Sequence, residues 1–229
     1  MTRKHPTAGR DEERRRLLAA TLDHVAFDGW TVTALRAGAA DLALDLADVA
    51  RLFPGGPDEA VRLFVEEADR RMVEELARRQ LGNMRHRDRI ATAVRVRLEQ
   101  HEPHREAVRR ALALQALPQN GPGGLASLYR TVDAMWHAAG DTSTDFTFYT
   151  KRILLSGVYV STLMFWLNDK SEDSQDTWAF LDRRIEDVMQ IQKARARLER
   201  YLPDTEGILG SLIRRQGRAR PMQSASPRT

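Results

Sequence analysis

The sequence predicts an all-α fold, with three short helices ahead of a larger helical bundle. Apolar residues recur at three- and four-residue spacing along most of the chain, the repeat of one helix face. No run alternates with the period of two that a half-buried strand requires. The greasiest stretch, Ile153–Leu167, is large and apolar except at Ser156, Gly157, Ser161 and Thr162. Such a helix belongs in deep core or in the wall of an apolar pocket.

Residues 11–28 read as the first helix, with Leu17, Leu18, Leu22, Val25 and Ala26 on one face and Gly29 as its stop. Thr31 or Thr33 caps a short second helix over about 33–40. A third runs from Asp45 to about Phe53 and is ended by Pro54-Gly55-Gly56. Asp58 then opens a long helix to about Leu81, with Val61, Phe64, Val65, Ala68, Met72 and Leu76 inward. Further helices are expected at about 87–100, 104–117, 125–139, 145–167 and 175–200. Pro118–Gly124 and Asn168–Ser174 read as loops. A short amphipathic helix at about 204–215 precedes a Pro/Ser/Arg tail. The expected divisions are a disordered 1–10, a helix-turn-helix-like 11–57, a bundle over 58–202, an amphipathic helix over 203–216 and a disordered 217–229.

A chain of 229 residues with 42% hydrophobic content can bury a real core. The absence of cysteine excludes disulfides, thiolate nucleophiles and Cys-based metal sites, and suits a cytoplasmic protein. Met1–Arg10 carries no apolar stretch and runs into Asp11, Glu12 and Glu13, so no secretory or transit signal is expected. Ile153–Leu167 is shorter than the ~20 residues of a membrane-spanning helix. Net charge is +4, yet residues 193–229 hold nine basic and three acidic residues, so the tail is +6 and the rest −2.

The first three helices have the order of a helix-turn-helix DNA reader. Charge argues against that use. Residues 11–64 hold six basic and ten acidic residues, a net of −4. The third helix carries Asp45 and Asp48 beside Arg51, where phosphate contact needs Lys and Arg. A structural scaffold is the favoured reading.

A search for chemistry finds no catalytic residues. His101-Glu102-Pro103-His104 is the one close histidine pair; it reads as a loop and helix start with surface histidines. His24 and His137 read as structural. Gly121-Pro122-Gly123-Gly124 lacks phosphate-loop spacing and reads as a linker. No metal site or cofactor is indicated.

Several blocks resemble the TetR-like accessory proteins of ubiquinone biosynthesis, the coenzyme-Q-nine family. They are Phe27-Asp28-Gly29-Trp30-Thr31, Ala37-Gly38-Ala39-Ala40, Leu52-Phe53-Pro54-Gly55-Gly56, Met135-Trp136, Gly140–Arg152 and Asp176-Thr177-Trp178-Ala179-Phe180-Leu181 with Arg184-Ile185. The resemblance spans about residues 20–195. It implies a TetR-like bundle that is not an enzyme, binds an isoprenoid quinone intermediate in an apolar pocket and presents it to a di-iron demethoxyubiquinone hydroxylase. It also implies a homodimer attached peripherally to the inner membrane through a terminal amphipathic helix. Met135, Trp136, Asp145, Phe148, Tyr149 and Arg152 correspond by position to the hydroxylase-contact patch. The family commonly has Trp where this chain has Phe148, which removes an indole N–H but keeps an aromatic anchor.

The pocket is expected along Leu154, Leu155, Gly157, Val158, Ser161, Thr162, Phe165 and Trp166, where small residues leave room beside the helix. Dimer packing competes for the same face. Membrane contact is expected at Ile208, Leu209, Leu212 and Ile213, one apolar stripe, with Arg214 and Arg215 following. The competing function is a TetR-type regulator whose pocket senses a small molecule.

Overall fold

A computed structural model describes residues 6–79, 81–141 and 146–201, with side chains in that range except at 6–8, 146–148 and 191–201. The described residues form nine α-helices and three 3₁₀ turns, with no strand. The helices are α1 (Pro6–Asp28), α2 (Val32–Asp41), α3 (Leu46–Leu52), α4 (Gly56–Arg78), α5 (His86–Glu99), α6 (Arg105–Gln115), α7 (Gly121–Ala138), α8 (Phe146–Trp166) and α9 (Gln175–Tyr201). The region expected to form the amphipathic helix, 204–215, lies outside the described residues.

The N-terminal helices stop and start where local chemistry dictates. Gly29 takes φ +69° at the end of α1, a conformation that costs glycine little. Thr31 caps α2 by accepting from the Ala34 N–H at 3.2 Å. Asp45 and Asp48 form a reciprocal capping box on α3, so these carboxylates serve the helix end. Where α2 crosses α1, a side chain at Gly38 would place its Cβ 2.6 Å from the Thr21 backbone N. That close crossing draws Thr21 into the buried stripe with Leu17, Leu18, Leu22 and Val25. Ala26, expected on this face, is exposed instead, because the stripe passes through Thr21 and Val25 to Gly29.

The bundle core is built from α4, α5, α7 and α8. It includes Phe64, Met72, Val94, Leu98, Val132 and Trp166. Trp30 joins the first three helices to the bundle through its indole N–H, which donates to the Ala107 carbonyl at 2.9 Å. Residues 1–185 form one compact unit, and a second begins at Glu186, of which the described part is helical.

Two connections differ in outcome. Gly121–Gly124, expected as linker, is the first turn of α7. Pro122 lies in that turn, where its missing N–H has no intrahelical partner to lose. Asn168–Ser174 is a connection as expected, ending in a 3₁₀ turn. Asp169 organises it by accepting from the Ser171 N–H at 2.8 Å, the Thr177 N–H at 2.9 Å and the Thr177 hydroxyl at 2.5 Å. Desolvation alone would raise its pKa, but these donors outweigh it and hold the carboxyl at about 2. Arg105 clasps the same connection, donating to the carbonyls of Trp166 at 3.0 Å and Asp169 at 2.8 Å.

Candidate functional site

A cavity of about 410 Å³ opens among α4, α5, α6, α7 and α8, within the size range of small-molecule sites, about 300–1,000 Å³. Most of its wall is apolar, from residues such as Val108, Ala111, Leu112, Leu128 and Leu163. Gly121 and Gly124, in the first turn of α7, also line it. The small residues that make room are therefore on α7.

One side of the cavity is polar. Arg97, His101, Ser127, Thr131 and Tyr159 face it. Arg97 is 2% exposed. Its Nε donates to Asp69 Oδ1 at 2.9 Å and its Nη2 to the Val65 carbonyl at 3.4 Å. Its Nη1 hydrogen bonds to His101 Nε2, so the imidazole proton belongs on Nδ1. Thr131 donates its hydroxyl proton to Asp69 Oδ2 at 2.9 Å. Burial, reinforced by the Arg97 guanidinium, drives the His101 pKa well below its ordinary value, so the ring is neutral. Desolvation raises the Asp69 pKa against the opposing pull of Arg97, and burial raises that of Tyr159. His101, expected on the surface, is 3% exposed; it extends α5's inner face into the connection and packs its ring on Phe64, centroids 4.8 Å apart.

None of the eight residues expected to form the pocket lines this cavity. Leu155, Val158, Thr162 and Trp166 are buried in the bundle. Leu154 and Ser161 are half-buried, and Gly157 and Phe165 are exposed. Phe165 stacks on Phe180 at 4.6 Å. The small polar residues of α8 turn back on their own helix: Ser161 donates to the Gly157 carbonyl at 2.7 Å and Thr162 to the Val158 carbonyl at 2.7 Å. α8 instead supplies Tyr159, Val160 and Leu163. The one-turn spacing of Tyr159 and Leu163 was the available sequence signal; for Arg97 and His101 it was their i, i+4 relation across the end of α5.

The patch expected to meet a partner divides by depth. Met135 is fully buried and Arg152 is 1% exposed, so these two cannot be direct surface contacts. Arg152 is held inside because Asp133 accepts from its Nε at 2.6 Å and Asp141 lies 3.7 Å from its Nη1. Asp141 also pairs with Lys151 at 2.8 Å. Above this network Trp136 is half-buried, with the His86 ring stacked 5.2 Å away. Tyr149 is 62% exposed. Asp145 and the Phe148 side chain lie outside the described residues.

On the outer face of α8, Tyr149, Ile153 and Met164 form an exposed apolar stripe, bordered by Val160 at the cavity. At the N-terminal end, Arg51 on α3 is bound to Asp48 and Glu13, each at 3.0 Å. Among the described residues no helix is long and apolar enough to cross a membrane, and no three His, Cys, Asp or Glu side chains gather as a metal site would require. Ile208, Leu209, Leu212, Ile213, Arg214 and Arg215 lie outside the described residues.

Residues 121–192 match the COQ9 family model. The chain is 39% identical over 188 residues to the rat mitochondrial ubiquinone biosynthesis protein COQ9, a match covering 79% of this chain and 60% of the rat protein. It is 37% identical over 188 residues to the human counterpart, covering 79% of this chain and 59% of that one. The chain thus spans about 60% of the length of the curated relatives it matches. A TetR transcriptional regulator from Nitrosomonas europaea shares the fold, with a TM-score of 0.64 and 22% identity over 76% of this chain and 97% of that one.

Proposed function

We propose that the chain is a COQ9-family protein over the region it shares with those relatives and that it is a non-catalytic lipid carrier in ubiquinone biosynthesis. The role in ubiquinone biosynthesis is supported by the likeness to the COQ9 relatives. The carrier reading rests on one observation, the mainly apolar cavity with a single polar side. Such a cavity suits an isoprenoid chain bearing an oxygenated ring.

In this reading the cavity delivers a quinone intermediate to a di-iron demethoxyubiquinone hydroxylase. Tyr149 and Trp136 meet that partner, while Met135 and Arg152 support them from beneath. A second copy of the chain covers Ile153 and Met164 on the outer face of α8. The segment around 203–216 attaches to the cytoplasmic surface of the inner membrane. The helix-turn-helix is a retained scaffold that does not bind DNA. The fold match keeps a ligand-sensing regulator as the second reading; the pairing of Arg51 with Asp48 and Glu13 weighs against it.

The test is organic-solvent extraction of the purified protein, followed by mass spectrometry. Isoprenoid quinones should co-purify in molar proportion. Their absence, with retention of a promoter fragment at about 150 mM salt, would replace carriage with transcriptional regulation.

A further inference from the structure

The polar side of the cavity carries a charge balance that predicts which lipid head it accepts. Arg97 is the cavity's buried cation, and it is already matched by Asp69 through the 2.9 Å bond from Nε. His101, the other basic group there, is held neutral by burial and by Arg97 itself. Thr131 directs its hydroxyl proton to Asp69, so its oxygen retains acceptor capacity. Three of the five guanidinium N–H groups of Arg97 are committed, to Asp69, to Val65 and to His101. Two remain, and Arg97 and Tyr159 line the same cavity, in a wall whose one buried cation is already paired.

Resting on the carrier reading above, we propose that the Arg97–His101–Tyr159 side of the cavity selects an uncharged, oxygen-bearing lipid head, of the quinone or phenol class, and discriminates against a phosphate. A quinone carbonyl or ring hydroxyl can take the spare donors of Arg97 or Tyr159 without bringing charge. A phosphate or diphosphate would enter a largely desolvated site as an anion. It would meet a guanidinium whose charge Asp69 already offsets, and it would face the Asp69 carboxylate behind it. Burying an uncompensated charge is far costlier than burying a hydrogen-bonded neutral oxygen. Asp69 is therefore a specificity-determining residue although it does not itself line the cavity.

The experiment is calorimetric titration of delipidated full-length protein with three probes that share one short isoprenoid tail: a benzoquinone, the free alcohol and the diphosphate. The quinone should bind at least about tenfold more tightly than the diphosphate, a factor equal to about 1.4 kcal/mol. Its affinity should be indifferent to salt, whereas phosphate recognition weakens as salt screens it. Asp69→Asn frees the charge of Arg97 and should raise diphosphate affinity while leaving the quinone nearly unchanged. Tyr159→Phe should weaken the quinone more than the alcohol. If Asp69→Asn does not fold, the probe ranking and salt response of the unaltered protein still decide. Equal or tighter binding of the diphosphate, or quinone affinity that falls with salt, overturns the head-group assignment and leaves the carrier role standing. If none of the three probes binds, the carrier reading itself falls.

Discussion

At the scale of single residues, the partner patch separates two kinds of contribution that its sequence block mixes. Arg152 is buried between Asp133 and Asp141, and removing one member of such a network leaves opposing charges without their partner. Arg152→Met should cost about 2–3 kcal/mol in urea unfolding, toward the low side for a buried pair because Asp133 is partly exposed. Tyr149→Ala, on the surface, should change stability by no more than about 0.5 kcal/mol. It should nonetheless weaken hydroxylase binding about 30-fold, as loss of an aromatic anchor does. A large stability loss in Tyr149→Ala, or none in Arg152→Met, would invert the depth assignment. His101 makes a second residue-scale prediction. Its folded pKa is depressed, chiefly by burial, and desolvation likewise lowers His86 and His104. The unfolded chain takes up protons near pH 6.5, whereas the folded one resists them. The stability these rings contribute is therefore fully present above about pH 6.5 and is lost as pH falls below it. The urea midpoint should drop between about pH 7.5 and pH 5.5, with a smaller slope in His101→Gln. A midpoint that rises on acidification in this window would refute the neutral imidazole.

Among the elements, α8 explains what the sequence could and could not reveal. Its all-round hydrophobicity implies deep core or pocket wall on every side, which holds for the inner face but not for the exposed Tyr149, Ile153 and Met164. The assignment of sides was not legible, because a monotonously apolar helix has no polar face to set its rotation. Small residues imply free space beside a helix, yet Ser161 and Thr162 are satisfied by their own backbone carbonyls, and the open space at Gly157 lies on the exposed side and does not belong to the cavity. Several helix starts and stops are far more legible, since Gly29, Thr31 and Asp45 act through local backbone geometry that needs no tertiary knowledge, whereas the glycines around Pro122 hide the start of α7. The role of Arg97 is not legible because its charge partner, Asp69, lies on a different helix, and His101 reads as a surface histidine because the Phe64 ring that covers it is also on another helix. The rotation found for α8 carries its own prediction. Ile153 and Met164 present exposed apolar surface of the kind that marks an association face. The homodimer proposed above places a second copy there. Ile153→Glu and Met164→Glu should each shift the protein from dimer to monomer in size-exclusion light scattering without altering quinone uptake. Dimers that persist in both variants would exclude this face as the seat.

For the molecule as a whole, charge is distributed against the use its first three helices suggest. The N-terminal region, residues 11–64, is −4, while residues 193–229 are +6. Arg14, Arg15 and Arg51 are further drawn into ion pairs with Glu59, Glu67 and Glu13. An anionic partner approaching this protein is therefore steered toward the C-terminal residues. A bilayer containing anionic lipid is the partner that fits a carrier whose ligand dissolves only in membranes. In the sequence Ile208, Leu209, Leu212 and Ile213 recur at helical spacing, and Arg214, Arg215, Arg218 and Arg220 follow them. Each basic residue near an anionic surface is worth about 1 kcal/mol, and the apolar stripe adds burial at the headgroup level. Neither contribution alone gives stable attachment; together they should give binding that is reversible and salt-sensitive. Full-length protein should co-sediment with vesicles of mixed phosphatidylglycerol and phosphatidylethanolamine, and release should grow as salt rises past about 0.15 M, where screening shortens the reach of each charge to about 8 Å. A chain ending at Leu202 should remain in the supernatant yet still take up quinone from detergent, because the cavity is lined entirely by residues before 164. Equal sedimentation of the two chains would move the membrane contact elsewhere on the protein. Loss of quinone uptake on truncation would instead make the C-terminal segment part of the ligand site.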